Sequence, residues 1–113
     1  MIIDSELRGS ARLLTLCEPR IDAAGAMAFK EKVRTLIADH EGRVVIDMGR
    51  VEFLDSSGLG ALVAVMKMLG RDRRLELAQC GPIVTKVLTL TRMDRVFVLY
   101  EDVAAALTAQ DAA

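Results

Sequence analysis

Hydrophobic residues recur along this chain with two different periods, and the change of period marks the elements. Val44-Val45-Ile46-Asp47-Met48 puts four apolar residues into five positions, which predicts a buried strand. Leu59, Leu62, Val63 and Met66 then fall at i, i+3, i+4 and i+7 and predict a helix running to Leu69. Between the two lies Phe53-Leu54-Asp55-Ser56-Ser57-Gly58-Leu59-Gly60. Asp55, Ser56 and Ser57 are all residue types that cap helices, because their side-chain oxygens accept from free first-turn N–H groups.

Upstream, residues 2–7 and 11–17 read as two short strands joined at Arg8-Gly9-Ser10, an antiparallel hairpin. Pro19 cannot donate to a ladder and ends the second strand. Asp22 is then expected to cap a helix whose apolar stripe is Ala26, Phe29, Val33, Leu36 and Ile37. Downstream, Gly70 fits a helix C-cap, Leu75 to Ala78 a short strand, and Pro82 the first turn of a helix buried through Ile83, Val84, Val87 and Leu88. Thr91 to Arg95 reads as a loop and Val96 to Leu99 as a last strand. Asp102 caps an Ala-rich terminal helix, with a tail expected to fray from Thr108 on. Strands alternating with helices predict an α/β domain with a mostly parallel sheet, opened by an antiparallel pair.

Composition narrows what such a domain does. A chain of 113 residues supports one core and one domain, here aliphatic because Trp is absent and Phe and Tyr are few. Fifteen basic and sixteen acidic residues balance to a formal charge of −1, which argues against nucleic-acid binding. The most apolar run, Leu59 to Met66, falls far short of the ~20 residues of a membrane span. No secretion signal is evident, so a cytoplasmic domain with two free, buried thiols, Cys17 and Cys80, is expected. The single His40 cannot complete a metal site or serve a serine hydrolase, and Ser56 lacks the Gly-x-Ser-x-Gly frame. Gly58-Leu59-Gly60 is not followed by the Lys of a phosphate-cradling loop. No residue pattern calls for a cofactor.

What remains is a displayed serine. One oxygen suffices to cap a helix, yet three such residues are lined up where a parallel sheet presents its ligand-facing edge. Gly58 and Gly60 leave the chain bare beside the hydroxyls, where another protein can approach. The helix that follows is apolar nearly all round. Its inward stripe reads Leu59, Leu62, Val63, Met66 and Leu69, and Gly60, Ala61, Ala64, Val65 and Met68 lie opposite. Such a helix is either covered by a neighbour or docks something, and Gly60, Ala61, Ala64 and Met68 are the candidate docking face.

Asp55-Ser56-Ser57-Gly58-Leu59-Gly60, preceded by Val45-Ile46-Asp47 and Phe53-Leu54, resembles the signature of bacterial anti-sigma factor antagonists of the STAS-domain family. The similarity runs from Leu13 to about Leu107. It implies a single STAS domain that is not an enzyme but the substrate of a serine kinase and a phosphatase, acting in transcription regulation. Ser56 would be the phospho-acceptor, and the kinase would be the anti-sigma factor that the unphosphorylated protein binds. Asp22, Asp55, Ser57, Gly58 and Gly60 would contribute to the partner surface. The family's Gly-Glu-Leu-Asp type motif is here Pro19-Arg20-Ile21-Asp22: the aspartate is kept, while Arg20 replaces an acid. A STAS subunit serving as a constitutive scaffold, with Ser56 never phosphorylated, is the alternative.

Overall fold

The computed structural model describes residues 1–109. Strands β1 (Ile3–Arg8) and β2 (Ala11–Leu16) form the opening hairpin. The turn is Gly9-Ser10 alone, and Gly9 takes φ +61°, the positive value that the first position of a type II′ turn requires. A two-residue strand β3 (Arg20–Ile21) leads to helix α1 (Ala26–Ile37). Strand β4 (Val44–Asp47), a second two-residue strand β5 (Phe53–Leu54) and helix α2 (Ser56–Leu69) follow. The chain closes with β6 (Glu76–Ala78), α3 (Pro82–Leu90), a 3₁₀ turn at Met93–Arg95, β7 (Val98–Tyr100) and α4 (Val103–Thr108).

The main sheet has the order β1-β2-β4-β6-β7. Only β1 and β2 are antiparallel; every other pair is parallel. The mixed, mostly parallel α/β architecture is thus the expected one. One face of the sheet carries the large core, where Leu14, Leu16, Ile46 and Leu77 meet Phe29 and Val33 of α1, Leu62 and Val65 of α2, and Val84 and Leu88 of α3. The other face carries a smaller cluster of Ala11, Leu13, Val45 and Ala78 beneath Ala106 of α4.

α4 is tied down by charge. Arg43 donates from Nε to both carboxylate oxygens of Glu76, at 3.2 and 2.9 Å, and from its terminal nitrogens to the carbonyls of Ala106 and Ala109, at 2.7 and 3.1 Å. Glu76 is only 7% exposed, so this pairing satisfies a carboxylate that burial would otherwise penalise. The expected cap of α4 is present, with Asp102 accepting from the Ala105 N–H at 2.7 Å. Thr108 is the helix's last residue, and its hydroxyl donates back to Ala104; the remaining tail lies outside the described residues.

Several expectations are corrected. Asp22 does not cap α1, whose N-cap is Gly25 without a side-chain bond. Asp22 instead closes the preceding turn, its backbone oxygen accepting from Gly25 and Ala26. In α3, Val84 and Leu88 are buried but Ile83 is 54% exposed. The last strand starts two residues later than expected. Both cysteines are free and half-buried rather than buried, and burial pushes the Cys80 thiol up to about 11, so it stays protonated. Gly70 does end α2, at φ +79°. The arginines beyond it are staples: Arg73 donates to the carbonyls of His40 and Gly42, and Arg74 to those of Arg95 and Val96.

Candidate functional site

Beyond the ends of β2 and β4, the two-residue strands β3 and β5 pair in parallel, Arg20 with Phe53 and Ile21 with Leu54. Side chains alternate across a strand. Ile21 and Leu54, at 0% and 2% exposure, therefore anchor this small sheet in the core. Arg20, Asp22, Phe53 and Asp55 line its outer side. The Pro19 carbonyl accepts from Glu52 and Phe53 N–H at 2.7 and 3.1 Å, which fixes the register. Asp22 and Asp55 thereby emerge side by side from strands that lie far apart in sequence.

Asp55 holds the two loops together. Its backbone is extended, as an N-cap requires, and Oδ1 accepts from the Gly58 N–H at 2.9 Å. Its second oxygen, Oδ2, accepts from the Ala23 N–H in the turn after β3, at 3.2 Å. One carboxylate thus caps α2 and moors the Asp22 turn to it. Of the three candidate caps in the sequence, only Asp55 caps.

Ser56 and Ser57 are released from that task. They occupy the first two positions of α2, both are exposed, and neither hydroxyl bonds another described residue. Their N–H groups belong to the first turn, where no intrahelical acceptor exists. The two glycines of the signature serve different ends. A Cβ on Gly58 would lie 2.1 Å from the Ile21 carbonyl oxygen and 2.6 Å from Leu54 Cδ1, so Gly58 is where α2 rests on β3. A Cβ on Gly60 would meet nothing within 4 Å.

The proposed docking stripe is only partly at the surface. Ala61 is 3% exposed and Val65 fully buried, so both point into the core, while Leu59, Val63 and Met66 are only half-buried. Relative to expectation, the buried face of α2 is turned toward Gly58, Ala61, Leu62, Val65 and Leu69. Met68 lines a depression shared with Arg34, Ile37 and Ala38, at the seam with α1. Gly60 is exposed and Ala64 half-buried, so the outward face near Ser56 consists of Ser56, Ser57, Gly60 and Ala64.

The charges beside the serines are ordered. Arg20 Nε donates to Asp22 Oδ2 at 3.1 Å, and its guanidinium lies 4.4 Å from the centroid of the Phe53 ring. Asp22 Oδ1 accepts from the Ala24 N–H at 3.2 Å. The Arg20 hydrogen bond, helped by backbone N–H groups of the turn, holds the Asp22 carboxyl below its ordinary value. The sequence shows Arg20 as a change of charge; its stacking on Phe53 depends on the pairing of β3 with β5, which two residues cannot signal. Among the described residues there is no group of three or more His, Cys, Asp or Glu able to hold a metal ion, and no helix long and apolar enough to cross a membrane.

The chain matches the family model of the STAS domain over residues 3–106. It is 32% identical over 88 residues to the anti-sigma-F factor antagonist RsfB of Mycobacterium tuberculosis, covering 78% of this chain and 72% of that protein. The crystal structure of an anti-sigma factor antagonist from Mycobacterium paratuberculosis superposes with a TM-score of 0.84 at 30% identity, over 95% of this chain and 91% of the other. The Bacillus cell fate determinant SpoIIAA in its phosphorylated form superposes with a TM-score of 0.64 over 93% of this chain and 96% of the other; at 19% identity the likeness is one of fold.

Proposed function

The chain belongs to the STAS-domain family, and on that premise we propose that it is an anti-sigma factor antagonist switched by phosphorylation of Ser56. The unphosphorylated form binds an anti-sigma factor with serine kinase activity in the cytoplasm and so frees the sigma factor. Phosphorylation ends the complex, and a serine phosphatase restores it. The observation that carries the reading is the division of labour at the head of α2. Asp55 makes the cap and the inter-loop bond, while the Ser56 hydroxyl is exposed and unbonded. A phosphoryl group can therefore be added without breaking any hydrogen bond made by the Ser56 hydroxyl. Among the described residues no group accepts from the Ser56 hydroxyl, the Asp55 oxygens being taken by the Gly58 and Ala23 N–H groups, so the proton leaves to a group on the kinase.

The electrostatics favour a switch of binding over a switch of fold. A phosphoserine carries about −1.5 to −2 charges. The N-terminus of α2 favours that charge by about 0.3–1 kcal/mol, and neighbouring Asp55 opposes it by a similar amount at surface dielectric. These nearly cancel in the free protein. In a complex the same dianion is desolvated against the partner, where an unpaired charge costs several kcal/mol.

The test is peptide mapping over residues 51–67 of protein isolated from its host, together with binding of the host's anti-sigma factor. The reading predicts phosphate on Ser56, none in Ser56→Ala, and weakened binding in Ala64→Arg without loss of folding. No phosphate under any growth condition would favour a constitutive scaffold instead.

A further inference from the structure

We infer that Arg20 binds the phosphoryl group placed on Ser56, and that phosphorylation draws the Arg20 guanidinium away from Asp22. The inference rests on the reading of Ser56 given above and adds the group within this chain that receives the new charge.

The guanidinium is held on two sides and open on the third. Nε is engaged with Asp22 Oδ2, and the plane lies over Phe53. Its two terminal amino groups have no hydrogen-bond partner among the described residues. A guanidinium with a free edge is a donor fork, the group that pairs with phosphate or carboxylate oxygens two at a time. Stacking on Phe53 restricts it beforehand, so less side-chain freedom is lost when the fork is filled.

The topology aims this fork toward Ser56. Arg20 pairs with Phe53, and Ser56 follows three residues on, roughly 10 Å of chain at most. Because β3 and β5 are parallel, the Arg20 side chain, reaching toward Asp22, runs in the direction in which β5 runs toward Ser56. Arg20 is exposed, with 57% of its side chain accessible, and the guanidinium can shift along the Phe53 ring toward Ser56. The carboxylates of Asp22 and Asp55 stand on the outer side of the small sheet, and among the described residues of β3 and β5 Arg20 is the one cation. A dianion outcompetes a single carboxylate for that cation. Asp22 is then left with the backbone N–H groups of its own turn, and the surface changes at Asp22 as well as at Ser56.

The experiment uses the full chain with phosphoserine installed at position 56 during translation, so that no kinase is needed. The phosphorus NMR signal is titrated in the parent protein, Arg20→Gln, Arg20→Lys and, as a control at the far end of the sheet, Arg8→Gln. The second phosphate pKa, ordinarily about 6, is expected to be lower in the parent than in Arg20→Gln by about 0.5–1 unit, with Arg20→Lys between them and Arg8→Gln unchanged. Equal midpoints in the parent and Arg20→Gln, or an equal shift in Arg8→Gln, would overturn the inference. Failure of the host's kinase to modify Ser56 would instead overturn the reading on which it rests, and the two failures are read in separate tubes.

Discussion

Two glycines two residues apart illustrate how differently the same residue type is used at the head of α2. Gly58 is required by space: a methyl group there meets the Ile21 backbone at 2.1 Å. Gly60 is required by nothing inside the domain, since its methyl would project into open solvent. Gly58→Ala should therefore cost ~1–3 kcal/mol through overpacking, whereas Gly60→Ala should stabilise by ~0.5–1 kcal/mol through helix propensity. Urea unfolding of the two variants checks both signs. If Gly60→Ala also weakens partner binding, its bareness serves the interface.

Asp22 gives a second test at a single side chain. Its carboxyl titrates below the ordinary 3.8 because Arg20 and the turn N–H groups favour the charged form. A depressed folded value means that the contribution to stability is complete above about pH 3.8 and is lost as the pH falls through the lower folded value. Carbon NMR of the Asp22 carboxyl should show a midpoint below 3.8 in the parent and a higher one in Arg20→Gln.

Among the elements, α4 depends on a single ion pair more than on its length. Six residues bury one alanine fully, but Arg43 reaches under the helix to hold its last carbonyls while its charge is balanced by Glu76. Arg43→Met should cost ~3–5 kcal/mol, because it strands a buried carboxylate. The double variant Arg43→Met with Glu76→Met should recover most of that loss, and a thermodynamic cycle from urea unfolding measures the coupling. Elements with a long apolar pattern or a strong cap were legible in the sequence: β4, α2, the hairpin, Gly70 and the Asp102 cap. The β3–β5 pair was not, because two residues per strand carry no periodicity and their pairing depends on distant segments. Asp22 looked like the cap of α1 because capping chemistry does not state how many residues separate it from the helix; a turn intervenes here. In α2 the apolar residues form two overlapping stripes. Sequence spacing cannot choose between Leu59-Val63-Met66 and Ala61-Val65 as the buried edge, and packing on α1 and β3 makes the choice. Asp55 and Ser56 were legible as candidates because they stand in consecutive residues, whereas Asp22 joins them only through the fold. The bond from Asp55 to Ala23 and the stacking of Arg20 on Phe53 exist only once β3 and β5 meet.

For the whole molecule, the fold acts as a rigid mount for one small surface. The sheet fixes β3 beside β5, the Asp55 carboxylate locks the two loops, and α2 carries Ser56 outward without involving it in the domain's own bonding. Under the proposed switch, phosphorylation would change what the surface can bind and leave the core as it is. The most direct measurement is calorimetric titration of the host's anti-sigma factor into the full chain, with serine or phosphoserine at position 56, alongside the thermal unfolding of each form. The account predicts binding at least about 100-fold weaker for the phosphorylated chain, equivalent to roughly 2.7 kcal/mol, with unfolding temperatures nearly unchanged. Equal affinities for the two forms, or a loss of affinity that tracks a loss of folding, would contradict it.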